Sequence, residues 1–511
     1  MYIKDKETDS GNIAEAQEEL MEEVLSKDME QTVQQIKNSL GQSTDLMIRE
    51  IWLGTESKKC ATIVYIDGLA DTTMVQDFII RPLTTDFSKM ENQNDSTGDE
   101  LFKTVKEYVI SIAQIDEVNS YQEITLSLLN GDTVILLEHS SRALKAGTAG
   151  WEQRSVQPPE DQAIVRGPRE AFTENLRTNT AMIRRKIKNP SLWLQSKTLG
   201  SVSRTNVAIM YVKGIADEQV VEEVNRRLDG IDIIGVLESG IIEQLIEEKT
   251  LTPFPTMYNT ERPDVIAAGL MEGRVAILVD GTPFVLIVPS LFIEYFQASE
   301  DYYQRADFGL LRLLRVLSFF IALLGPSIYI AISTFHQEML PTPLIISIAA
   351  GREGVPFPAF VEVLIMETTF EILREAGIRM PKAIGQAVSI VGALVIGQAA
   401  VEAGLISPSM VIVVSITAIC SFVLPAYNMG IAVRILRFPF IGLAAAVGLY
   451  GIFIGVGILL VHLCSLKSFG VPYMSPFTPF NLSDQKDSLL RLPKVGLSLR
   501  PNSIGSKQKK K

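Results

Sequence analysis

The sequence predicts an α/β soluble N-terminal region of two related subdomains followed by an α-helical polytopic membrane domain. Three observations carry that prediction. Apolar spans begin at Val316 and end near Cys464, whereas the preceding 300 or so residues look water-soluble. One pattern occurs twice, at Thr62–Asp71 and Ala208–Asp217: a β-branched apolar run, a Gly turn, then a helical pattern. A second pair, Asn130–Leu137 and Glu272–Val279, follows at nearly constant spacing and reads as a tight Gly turn feeding a buried strand.

Residues 1–45 read as an acidic tail and an amphipathic helix. Met21, Leu25, Met29, Val33, Ile36 and Leu40 recur in steps that share one helix face. That face suits packing on its own domain or a partner-binding coiled coil. Met1–Ser10 has no apolar core of signal-peptide type, so later spans are expected to direct insertion and leave the preceding chain cytoplasmic.

Residues 46–160 and 161–304 are expected to form the two subdomains. Ser140–Gln162, rich in Ser, Gly, Pro and Gln, reads as an exposed connection. The helix after Val165-Arg166-Gly167-Pro168 carries Arg177, Arg184, Arg185, Lys186 and Lys188. It suits a solvated face, or a surface for anionic lipid or a partner.

Residues 305–466 are expected to form the membrane domain and 467–511 a C-terminal tail. Val316–Phe335 has no charged residue and the length of a span; Arg305, Arg312 and Arg315 before it place the soluble region on the cytoplasmic side. Pro341–Ala350 is too short to cross and reads as a re-entrant or broken segment. Phe357–Ala376 carries Glu362, Glu367, Glu371, Arg374 and Glu375. Ionisable groups at membrane depth mark function by default. These need Arg374, Arg379, a neighbouring helix or water to balance them, unless the helix lies flat at the interface.

Ala383–Gly404 is a small-residue helix. Gln386, Ser389, Ala393 and Gly397 fall on one stripe, Gln398 and Glu402 on another. Such stripes line a pore or pack helices closely. Ile390 and Leu394 flank the polar stripe as gate candidates. Pro408–Val433, in which Pro425 and Asn428 suggest a kink or break, and Phe438–Leu463 read as two spans, with Arg434 and Arg437 in a cytoplasmic link. That count leaves the C-terminus outside, whereas Lys507, Lys509, Lys510 and Lys511 favour the inside.

Composition narrows the function. A net charge of −12, with seven carboxylates between Glu15 and Glu30, argues against nucleic acid. The three Cys and three His are scattered, so neither a metal site nor a disulfide framework follows. No nucleophile–base pair or phosphate loop is present, so a membrane component without a cofactor is expected rather than an enzyme.

Pro356-Phe357-Pro358, Leu373-Arg374-Glu375-Ala376-Gly377 and Ile396–Ala403 resemble the A subunit of GerA-type spore germinant receptors. So do Val165–Pro168, Asn259-Thr260-Glu261-Arg262-Pro263-Asp264, Gly273–Asp280, Asp301-Tyr302-Tyr303, Phe469-Gly470 with Pro472-Tyr473, and Arg491-Leu492-Pro493. The resemblance covers roughly residues 45 to 495. It implies an integral protein of the bacterial spore inner membrane, with its N-terminal domain on the core side. It also implies an amino-acid-permease-like B subunit that binds nutrient and a lipoprotein C subunit. The A subunit would form a homo-oligomeric, ligand-gated channel in lipid, releasing monovalent cations, with Gln386, Ser389, Ile390, Ala393, Leu394, Gly397 and Glu402 lining it. A non-conducting scaffold or accessory component, similar to stage V sporulation protein AF, is the alternative.

Overall fold

Asp28 starts the first helix, α1 (Met29–Ser39), by accepting a hydrogen bond from the Glu30 amide. Its apolar face joins a core with Leu25, Tyr121, Ile124 and Val134, so the amphipathic stripe packs on its own domain. The computed structural model describes residues 25–53, 59–87, 98–150, 159, 166–248, 251–303, 310–380, 397–480, 485 and 488.

Two five-stranded sheets follow. The first contains β1 (Leu46–Trp52), β2 (Cys60–Ile66), β3 (Ile115–Val118), β4 (Thr133–Leu137) and β5 (Ala143–Ala146), with α2 (Tyr121–Asn130) packed against it. Its order is β1-β2-β4-β5-β3. The second has α3 (Leu176–Lys186), β6 (Leu192–Leu199), β7 (Thr205–Val212), α4 (Glu218–Asp229), α5 (Ser239–Ile246), β8 (Tyr258–Thr260), α6 (Pro263–Glu272), β9 (Val275–Val279) and β10 (Val285–Val288). Its order, β6-β7-β9-β10-β8, repeats the first position by position, and both sheets are antiparallel.

The repeated sequence punctuation explains the repeated turns. Gly68 and Gly214 sit at φ 85° and 80° after the second strand of each sheet, a conformation that favours glycine. Asp71 and Asp217 then cap the following helices by accepting from the amides of Thr73 and Gln219. Gly131 and Gly273 end α2 and α6 in the left-handed region and feed β4 and β9, whose residues are all buried.

The basic helix α3 is only partly a solvated face: Arg177 and, just beyond the helix, Lys188 are exposed, but the other basic groups turn inward or pair. Arg184 is buried, pairs with Asp45 and donates to the Leu192 carbonyl at 3.2 Å. Arg177 meets Asp67 at 2.9 Å and Lys186 meets Glu170 at 2.9 Å. With the Thr44 amide bonded to the Leu194 carbonyl, the pairs to Asp45 and Asp67 lock the first subdomain to the second.

The helical part comprises α7 (Leu310–Thr334), α8 (Thr342–Arg352), α9 (Ala359–Arg379), α10 (Pro408–Phe422), α11 (Tyr427–Val447) and α12 (Leu449–Ser465). By length and composition α7 and α11 are long and apolar enough to cross a membrane, while α10 and α12 are apolar but shorter. Contacts fix the direction of each helix. Arg315, near the start of α7, donates to the Phe296 carbonyl, so α7 leaves from the end nearest the sheets. At its far end, Phe335 and His336 press on Gly448, where α11 turns into α12. Tyr329 meets Ser409 at 2.7 Å, so α10 starts far from the sheets; Arg374 on Ser421 and Arg434 on Glu371 bring α9, α10 and α11 together at the near end.

Residues 408–465 therefore make three passes through the bundle, not the two spans expected. The breaks fall at residues 423–426, which include Pro425, and at Gly448 with φ 68°. Arg434 and Arg437 are not in a link; both lie inside α11, and Arg437 is buried. At 15 and 17 residues, α10 and α12 rise only about 22 and 25 Å, which is why they read as parts of longer spans. The extra pass returns the chain to the sheets, where Ser468 accepts from the Ser290 amide and donates to the Thr256 carbonyl.

Glu243 on α5 offers a test of this packing. Burial pushes its carboxyl up to about 7, with Glu247 and Glu238 adding to the rise and Asn259 opposing it. Because the folded state holds this proton more tightly than the unfolded chain, stability falls as pH rises from about 4.5 through 7. The loss at the upper end is at most about 3 kcal/mol. Thermal unfolding of the full chain in detergent should show that slope, and Glu243→Gln should flatten it.

Candidate functional site

Helix α9 follows Pro358, which supplies no side-chain cap. Its carboxylates run from core to solvent: side-chain exposure is 0% at Glu362, 1% at Glu367, 26% at Glu371 and 61% at Glu375. An isolated ionised carboxylate in such an interior costs several kcal/mol, so each needs a partner.

Each has one. Glu362 accepts from the Ser407 amide at 2.9 Å and its hydroxyl at 2.7 Å, just ahead of α10, and lies 3.3 Å from Arg352 at the end of α8. It thus holds α8, α9 and the positive end of the α10 dipole together. Glu367 pairs with Arg437 of α11. Glu371 meets Arg434 at 3.0 Å and Arg374 at 4.0 Å. Arg374 lies over the Phe422 ring at 4.5 Å, and Glu375 pairs with Arg379 one turn on.

Arg437 does a second job. Its Nε donates at 2.8 Å to the carbonyl of Ala322 in α7. That carbonyl lies four residues before Pro326, which has no N–H to give it. One guanidinium therefore satisfies a carboxylate on α9 and the acceptor that proline leaves vacant on α7. Sequence reasoning expected compensation from a neighbouring helix but missed Arg437, Arg434, Arg352 and Ser407. The available signal was Pro326 inside the uncharged stretch from Val316, which announces an orphaned carbonyl one turn earlier.

The predicted pore residues fall unevenly. Gln386, Ser389, Ile390, Ala393 and Leu394 lie outside the described residues. Gly397 is buried, and a side chain there would touch Val411 at 3.6 Å. Glu402 is exposed and accepts a hydrogen bond from Gln398 at 2.9 Å. Among the described residues no group of three His, Cys, Asp or Glu is placed to hold a metal ion.

A second constellation joins the sheets to the bundle. Arg262, buried, donates to Asp264 at 2.7 Å and to the Pro168 carbonyl at 3.2 Å. Tyr303 donates to the same Asp264 oxygen at 2.6 Å; burial and that carboxylate push its hydroxyl well above the usual range, which keeps it a donor. Asp301, 1% exposed, accepts from Arg315 at 2.8 Å and Arg312 at 3.4 Å. Arg274 sits between Glu272 and Glu294 at 2.9 and 2.5 Å. Arg312 and Arg315 are thus buried partners of Asp301, not free charges at an interface. The motifs at Pro168, 259–264, 273–274 and 301–303 supply these contacts, and Tyr473 of the 469–473 motif packs alongside, near Phe292.

A family model described as "Bacillus/Clostridium GerA spore germination protein" matches residues 34–503. Spore germination protein KA of Bacillus subtilis (strain 168) is 50% identical over 487 residues, covering 95% of this chain and 88% of that protein. Spore germination protein GerLA of Bacillus cereus is 42% identical over 94% of this chain and 97% of its own length. The crystal structure of the N-terminal domain of the A subunit of the Bacillus megaterium spore germinant receptor GerK3 is 38% identical. It covers 53% of this chain and 98% of that chain, with a TM-score of 0.42.

The Glu367–Arg437 pair makes a sharp energetic prediction. Glu367→Leu or Arg437→Leu leaves a buried charge alone and should cost about 3–5 kcal/mol. The double leucine variant should recover most of that loss, short of about 1 kcal/mol for the abandoned Ala322 carbonyl. Thermal unfolding of the two single variants and the double variant completes the cycle.

Proposed function

The chain belongs to the Bacillus/Clostridium GerA spore germination protein family, and on that premise we propose that it is the A subunit of a nutrient germinant receptor in the spore inner membrane. Its α/β part faces the spore core, and permease-like B and lipoprotein C subunits complete the receptor. Several copies surround an ion path that opens when nutrient binds a partner and releases monovalent cations.

The reading is supported by where charge is left unmatched. The carboxylates of α9 have arginine partners, and the deepest of them are sealed in the bundle. Gln398 and Glu402, further along the chain, bond to each other and are exposed among the described residues. A carboxylate exposed on a membrane-resident bundle requires water, headgroups or another subunit. A ring of such residues would concentrate cations, and Ile390 and Leu394 would supply a dewetting gate. Among the sequence candidates, the pairing favours Glu402 over Glu362, Glu367 and Glu371 as the cation-facing group.

The rival reading, a non-conducting scaffold or accessory component, draws on the same neutralised interior. Ion flux through liposomes separates the two. The conduit reading expects Glu402→Gln to lower cation-over-anion selectivity severalfold and Leu394→Ala to leak without nutrient. Flux that is absent with partners present, or indifferent to both substitutions, overturns it.

A further inference from the structure

The segments that flank β8 and β10 share one apolar core with the bundle, and Tyr258 of β8 packs against it. Phe254, Leu291, Tyr295 and Phe296 belong to the same buried cluster as Phe319 and Leu323 of α7 and Tyr473 beyond α12. Ring centroids step from Phe292 to Phe296 at 5.1 Å and on to Phe319 at 5.3 Å. The returning chain clamps the junction: the Phe292 amide donates to the Tyr473 carbonyl at 2.9 Å, and His462 of α12 meets Thr252 at 2.9 Å. Packed interiors of this kind move as units and do not deform continuously.

Asp301 keys α7 into that unit through Arg312 and Arg315. Seven residues beyond Arg315, about 10 Å along a stiff helix, the Ala322 carbonyl holds Arg437. Arg437 in turn neutralises Glu367 on α9.

We propose that the second sheet and α7 form one rigid lever whose output is the Arg437–Glu367 pair. Movement of the soluble part shifts α7 along its axis and carries the Ala322 carbonyl with it. Arg437 must then choose between its two acceptors. Because Glu367 and Arg437 are both buried, an intermediate separation satisfies neither, so the pair has two discrete arrangements, joined or parted. That is the bistable element a conformational path requires. The proposal stands independently of whether the chain conducts ions.

Hydrogen exchange of the full chain in lipid nanodiscs tests it. Asp301→Asn should speed exchange severalfold in the first turns of α7 and also in α9 around Glu367, while β7 and β9 keep their protection. Pro326→Ala, which restores an N–H to compete for the Ala322 carbonyl, should loosen α9 around Glu367 and leave the Asp301 junction unchanged. The two substitutions combined should add little at α9 beyond either alone. Exchange changes confined to residues near Asp301, or fully additive effects at α9, overturn the lever. Should Asp301→Asn cost β7 and β9 their protection, Arg315→Lys, which weakens the hold on Asp301 from the α7 side while keeping the charge, takes its place with the same expectations.

Discussion

A carboxylate inside a bundle of apolar helices must either be neutralised or be avoided, and the arrangement of this chain follows from how Glu367 is neutralised. Moving an ion of that size out of water costs several kcal/mol even after relaxation, comparable to the whole net stability of many domains. Arg437 meets that cost only because α11 passes beside both α7 and α9 at mid-height. A link at residues 434–437, as the charges alone suggest, would leave Glu367 without its partner. Neutralisation thus fixes where α10, α11 and α12 begin and end, and with them the side to which the chain returns.

The same logic separates what was legible in the sequence from what was not. Local punctuation was readable: Gly68 and Gly214, Gly131 and Gly273, Asp71 and Asp217 each impose a backbone or capping requirement that sequence states directly. The burial of β4 and β9 followed from their unbroken apolar runs. Pairing across the bundle was not readable. Arg434 and Arg437 occupy adjacent turns of a helix, and in one dimension two arginines between apolar runs look like a loop. Nor does hydropathy distinguish two long spans from three passes when the breaks are a Pro425 turn and a single glycine. Arg184 was misread for the same reason: its partner, Asp45, lies 139 residues away.

Several of the motifs that carry the family resemblance gather where the sheets meet the helices, and chemistry explains why such segments read as motifs. Arg262, Asp264, Asp301 and Arg274 are buried, and a buried polar group accepts few substitutes because its partner would be left unsatisfied. The junction's specificity is therefore a statement about mechanical continuity.

Continuity and neutralisation combine at α7. Its near end is locked by Asp301 to the sheets, and its middle offers a carbonyl that Pro326 has released from the helix ladder. A regular helix would have no free acceptor there, and Arg437 would bind Glu367 alone with nothing tying the pair to α7. Proline is usually disfavoured in a helix interior because it breaks one hydrogen bond and crowds another turn. Here the broken bond is remade by a side chain from a different helix, so a local defect becomes an intersegment contact. A soluble domain joined to helices by a loose linker could bind or release partners without disturbing them. One joined through a shared aromatic core, a buried aspartate and a proline-freed carbonyl has no such independence, since displacing it must either strain α7 or part a buried ion pair.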